Sequence, residues 1–65
     1  MEDFRTRLEN EELELKSKIE KLYDFIQSDK FNSIDEFQKP LLHIQLTSMR
    51  TYYKCLTVRG AWLDK

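Results

Sequence analysis

The sequence predicts an all-α fold: a helical hairpin with a short N-terminal helix ahead of two longer antiparallel helices, completed as a homo-oligomeric bundle. Three observations carry this. From Glu2 to Ser28 there is no glycine or proline, and Glu, Lys, Leu and Arg, all good helix formers, dominate. From Pro40 onward, Leu42, Leu46, Met49, Tyr53, Leu56, Gly60 and Leu63 recur at alternating spacings of four and three. That is the pattern of a helix packed lengthwise on another. Third, 65 residues in two long helices cannot enclose a core, because each helix covers only one side of the other. Small scaffolds of this kind add disulfides, a structural metal or oligomerisation. Cys55 is the only cysteine and His43 the only histidine, twelve positions apart, so neither a disulfide within the chain nor a zinc set is available. Oligomerisation is the remaining route.

In the first half, Leu8, Leu15, Ile19, Leu22 and Ile26 form one stripe, with Glu12 where an apolar residue would complete it. Phe4 and Leu13 fall off that stripe. A polar residue in a seam marks a break or a register device, and a break near Asn10–Glu12 would make the first eight or so residues a separate short helix. Ser28-Asp29-Lys30 is then expected to close the long helix and Phe31-Asn32 to form the turn. Ser33-Ile34-Asp35-Glu36 reads as a capping box, in which the Ser33 hydroxyl and the Glu36 carboxylate each take an orphan N–H. Pro40 lies too deep for a helix capped at Ser33, since it would orphan the Glu36 carbonyl. The preferred reading is a short turn over 33–38 and a main helix from about Pro40 to Arg59. Gly60 would be its stop, with Ala61-Trp62-Leu63 continuing the helix or folding back. Leu41, Tyr52, Cys55 and Trp62 widen the stripe of this helix, so it is expected to touch more than one partner helix. Residues 1–65 are read as a single domain.

Charge bounds the partners. Residues 1–30 hold nine acids and six bases, whereas residues 31–65 hold five bases and three acids. The first half should therefore pack against the second, in the same chain or a neighbour. A net-acidic chain is a poor fit to duplex DNA, which calls for a concentrated basic footprint. A recognition helix is also missing, because the start of the main helix, Pro-Leu-Leu-His-Ile-Gln-Leu, is core-like. No apolar run reaches the length of a membrane span, and the start Met-Glu-Asp-Phe has the wrong charge for a signal peptide. With one free cysteine, a reducing cytoplasm is expected.

Catalysis finds little support. His43 and Cys55 sit about three turns apart on one helix, beyond the reach of a nucleophile and its base. The carboxylates lie on solvent-face positions with no closed pocket to raise a pKa. A single glycine excludes a phosphate-cradling loop. No enzymatic activity, metal or cofactor is expected. Most aromatics read as core and most cations as surface, with one exception. Lys21 and Phe25 share a helix face at i, i+4, with Lys18 close by. An aromatic face beside an ammonium suits a ligand with flat bases and phosphates, through stacking and charge pairing.

The stretch Lys18-Ile19-Glu20-Lys21-Leu22-Tyr23-Asp24-Phe25-Ile26-Gln27-Ser28, then Phe31, resembles a family of small helical proteins from tailed phages. So does the later pattern Leu41-Leu42, Gln45, Met49, Tyr52, Leu56, Arg59, and the likeness spans roughly residues 4–60. One branch of that family is the anti-CBASS sponge, which sequesters cyclic oligonucleotide messengers of bacterial defence. The resemblance implies interlocked helical hairpins, a hexamer in the sponges, and binding without hydrolysis in the cytoplasm of a bacterial host. It implies cyclic dinucleotides, and possibly cyclic trinucleotides, as ligands. Carried over residue by residue, it assigns Lys21 to phosphate and Phe25 to a base. Phe4 would cover a base, at a position where the sponges often carry tyrosine, and Arg59 would reach a phosphate from a neighbouring subunit. Lys18 and Ser28 complete the expected ligand-binding set. The alternative is an oligomeric helical adaptor that binds a host or phage protein.

Overall fold

A computed structural model describes residues 3–63. The order is α1 (Phe4–Gln27), a single helical turn α2 (Asp29–Asn32) and α3 (Gln38–Leu63), with no strand among the described residues. Antiparallel α1 and α3 form a rod of 46 × 19 × 16 Å, two helices thick. No helix among the described residues is long and apolar enough to cross a membrane.

The two seams read from the sequence meet. Leu8, Ile26, Leu46 and Leu56 are buried, and Leu15, Ile19, Leu22, Leu42, Met49 and Tyr53 are half-buried. Leu13, off the stripe, is 66% exposed. Gly60 lies beside Leu8, and the Arg5 guanidinium donates to the Leu63 carbonyl at 3.1 Å. This register sets Leu15 level with Tyr53, Ile19 with Met49 and Leu22 with Leu46.

The break expected near Asn10–Glu12 is absent, and α1 runs through it as one helix. Its cause lies across the seam. A Cβ built on Gly60 would sit 3.2 Å from Glu12 Oε1, so the missing side chain at Gly60 makes room for the half-buried Glu12 side chain. The polar residue is thus accommodated without interrupting the helix. The short helix occurs instead as α2, where Phe31 and Asn32 were expected to form a turn.

Caps explain the other boundaries. Asp3 caps α1 by accepting from the Thr6 N–H at 2.7 Å. That bond, ahead of the Arg5 charge, holds the Asp3 carboxyl below its ordinary pKa. At the other end the Ser28 hydroxyl donates to the Phe25 carbonyl at 2.6 Å. The capping box of Ser33 and Glu36 does not form. The Ser33 hydroxyl donates backward to the Lys30 carbonyl, and Glu36 pairs with Lys39 at 2.6 Å. Asp35 Oδ1 instead accepts from the Phe37 N–H as the chain enters α3. Pro40 falls in the first turn of α3, where its missing N–H orphans no carbonyl. The stop expected at Gly60 is also absent. No glycine adopts a positive φ, and α3 continues to Leu63, whose carbonyl is met by Arg5.

Candidate functional site

The expected ligand-binding residues fall into two groups, one at each end of the rod. At the open end, where α1 begins and α3 finishes, Phe4 and Arg59 come together. The Arg59 guanidinium lies over the Phe4 ring at 5.5 Å. Stacking costs a guanidinium none of its in-plane N–H donors, so Arg59 can hold an aromatic face and an anion at once. Arg7 lines the same open hollow of about 210 Å3, whose wall is completed by Leu8 and Glu11. An apolar hollow of about 290 Å3 lies alongside, between Phe4, Val58, Trp62 and Leu63. Phe4 is 50% exposed, which leaves ring surface for a second flat group.

Glu11 would oppose a phosphate in this hollow, but its carboxylate is engaged by the Tyr52 hydroxyl, which donates to Glu11 Oε1. That bond raises the Tyr52 pKa, with desolvation and the Glu11 charge acting in the same direction. The pair also ties α1 to α3 directly beside Arg59.

At the loop end, Lys18, Lys21 and Phe25 lie at i, i+3 and i+7 on α1 and so share a face. Lys18 and Lys21 are exposed, and Phe25 is half-buried. Phe25 meets Phe31 edge to face at 6.3 Å between ring centres, and Phe31 meets His43 in the same way at 5.6 Å. Lys39 Nζ lies 5.8 Å from the centre of the Phe31 ring. The Ser28 proton is committed to the end of α1, so towards a ligand this hydroxyl offers only its oxygen.

One chain does not join the two groups. Phe4 and Phe25 are separated by almost the length of α1, about 32 Å at the helical rise. Within one hairpin they are two separate clusters. Each pairs an aromatic ring with cations on an open surface.

The structure adds residues not singled out from the sequence. Arg7 and Glu11 stand at i+3 and i+7 from Phe4, and that spacing was the available signal. The Phe31–His43–Lys39 cluster had none, because it depends on where α2 turns the chain. Charge complementarity between the halves is met in a different way from the one expected. Two of the bases on α3 lie over aromatic rings of α1, Arg59 over Phe4 and Arg50 over Tyr23 at 5.5 Å. Among the described residues, no group of three or more His, Cys, Asp or Glu side chains is placed to hold a metal ion.

No curated protein and no solved structure gives a significant match to this chain. A family model described as Sequestin matches residues 2–61, nearly the whole chain. The chain belongs to the Sequestin family.

Proposed function

We propose that this protein captures cyclic oligonucleotide messengers and holds them without cleaving them, as a phage countermeasure in the cytoplasm of the infected bacterium. One observation carries the reading: the Arg59 guanidinium lying over the ring of a half-exposed Phe4, with Arg7 lining the same hollow. Ring surface for a base and guanidinium edges for a phosphate are the two things a nucleotide asks of a site. The family's name points to sequestration, and the resemblance to anti-CBASS sponges supplies the ligand class. Binding without turnover agrees with the chemistry available. His43 packs against Phe31, Cys55 is exposed, and about 18 Å of helix separates them.

Because the two clusters lie at opposite ends of one hairpin, a complete site takes Phe4 and Arg59 from one copy and Lys21 and Phe25 from an antiparallel second copy. Lys18 and Ser28 flank the second half. A cyclic dinucleotide carries two bases and two phosphates, one of each for either half of such a site, and a cyclic trinucleotide suits a three-fold axis of a hexamer.

The test is calorimetric titration with cyclic di- and trinucleotides and with linear nucleoside diphosphates, followed by recovery of the ligand from denatured samples. Tight binding of a cyclic species, recovered intact, is expected. Lys21→Ala and Arg59→Ala should each weaken it at least tenfold while the assembly keeps its mass. Mixing these two variants is the sharper arm. A heterodimer rebuilds one unaltered site from the intact half of each copy, so about a quarter of the sites should return if halves are shared across a two-fold. No recovery on mixing would refute the shared site, and no heat with any cyclic species would refute the ligand class. Indifference to Lys21 together with sensitivity at Trp62 would favour the adaptor.

A further inference from the structure

The hollow beside Phe4 is lined by three charged side chains, and one of them is wrong for an anion. Arg7 and Arg59 are cations, and Glu11 completes the wall. Phe4, Arg7 and Glu11 stand at i, i+3 and i+7 on α1, so ring, cation and carboxylate share one face. The hollow measures about 210 Å3, below the roughly 300–1,000 Å3 of sites that enclose a whole drug-sized ligand. It therefore meets one base and its adjoining phosphate rather than a complete cyclic dinucleotide.

Glu11 is fixed in this wall, because the Tyr52 hydroxyl donates to its Oε1. The Tyr52 phenol also feels both neighbouring charges. Its bond to Glu11 raises its pKa, and the Arg59 charge pulls it back down. Carboxylate and guanidinium thus act on the same stretch of wall. Tying α1 to α3 calls only for an acceptor, which a neutral glutamine amide would supply as well. The negative charge is surplus to that task.

What the charge alters is the balance of the hollow. Two guanidiniums and one carboxylate leave a single net positive charge among the residues that line it. A phosphodiester carries one negative charge, whereas a terminal phosphomonoester carries about 1.5 to 2 at pH 7. The diester is matched. The monoester brings further negative charge that no lining cation meets and that faces Glu11. Repulsion of the wrong ligand is a general source of specificity.

We propose that Glu11, pinned by Tyr52, selects ligands whose phosphates are all diesters. It admits a cyclic oligonucleotide and turns away the ring-opened form, which ends in a phosphomonoester, together with mononucleotides. This selectivity rests on the nucleotide site proposed above and adds to it the class of phosphate accepted.

The test compares cyclic di-AMP and cyclic di-GMP with their ring-opened, 5′-phosphorylated forms, each displacing a fluorescent cyclic dinucleotide from the full chain. Glu11→Gln keeps an oxygen for Tyr52 to donate to and removes only the charge. It should raise the affinity of the ring-opened forms about twofold to fivefold more than that of the cyclic ones, the range of an exposed charge pair. High salt should erase the difference. Glu14→Gln changes the net charge equally, one turn further along α1 and outside the hollow, and should leave the ratio unchanged. Helical circular dichroism should match the wild type in both variants. Equal shifts in the two would assign the effect to overall charge and overturn the proposal. So would a Glu11→Gln protein that takes the ring-opened forms no better than the wild type does. A wild type that binds no cyclic species would instead refute the ligand class on which the selectivity rests.

Discussion

The two faces of α3 share one spacing and differ in nearly everything else. Leu56, on the inner face, is fully buried, whereas Val58, two positions on, is 58% exposed. The inner face closes against α1 and makes the hairpin. The outer face, which carries Phe37, Leu41, Ile44, Val58 and Trp62, stays largely exposed within the hairpin. The contrast separates two energies that a larger domain would merge: the free energy of forming the hairpin and that of pairing hairpins. Substitutions on the two faces should therefore fail differently. Leu56→Ala removes a side chain at 0% exposure, a change that typically costs about 2–5 kcal/mol. In a chain with so small a core that is most of the available stability, so helical circular dichroism should collapse at 37 °C whatever the concentration. Val58→Ser should leave the helices in place and shift the concentration at which copies assemble, making the melting temperature more dependent on protein concentration. Equal losses of helicity in both variants would merge the faces into a single cooperative core and end the distinction.

A smaller effect is expected inside the seam, at Gly60. In mid-helix, alanine is favoured over glycine by about 1 kcal/mol. Against that, the new Cβ would stand 3.2 Å from Glu12 Oε1 and 3.8 Å from Leu8 Cδ2. The tight contact is with the far end of a flexible, half-exposed side chain, which can swing outward. Gly60→Ala should therefore raise the melting temperature modestly, by up to about 1 kcal/mol of stability. Gly60→Leu reaches past Glu12 to α1 itself and should lower it. If the alanine also destabilises, the Glu12 carboxylate is held more firmly than its exposure implies, and Gly60 sets the closest approach of the helices.

The helices and their seams were legible because periodicity records which side of a helix is buried, and both stripes turn inward as their spacing required, buried or half-buried except for Leu63 at 39% exposure. Residues whose role depends on what lies opposite were not legible. Glu12 read as a break because no single-helix pattern shows that glycine faces it. Gly60 read as a stop for the same reason, and its true partner is 48 positions away. Cys55 was read with Leu41, Tyr52 and Trp62 as widening the packed stripe of the main helix, but all four are exposed in the hairpin, because α1 covers only one side of α3. The capping box failed through local competition, since Ser33 and Glu36 found partners at Lys30 and Lys39 instead. Of the candidate site, the grouping of Lys18, Lys21 and Phe25 on one helix face was readable. The meeting of Phe4 with Arg59 is a tertiary fact that the resemblance supplied only as two separate residues.

The smallest effect is a pH dependence at the tie between α1 and α3 beside Arg59. Tyr52 donates to Glu11, and the bond holds the phenol protonated above its ordinary pKa of about 10. A group whose pKa is raised by folding contributes stability that is complete below the unfolded value and is lost as pH rises through the folded one. Above pH 10 the wild type should therefore lose stability as a phenolate forms against the Glu11 carboxylate. Tyr52→Phe gives up the bond at neutral pH, a small loss at an exposed site, and should show a flatter profile in the alkaline range. The contrast also bears on the hollow beside Arg59. If that hollow takes a nucleotide as proposed, removing the tyrosine partner frees Glu11 to oppose a phosphate, and Tyr52→Phe should weaken binding more than it weakens the fold. Glu11→Gln in the same background should restore the affinity. Restoration by removing a charge would place Glu11 at the ligand, whereas a loss that persists would assign Tyr52 to holding the helices together.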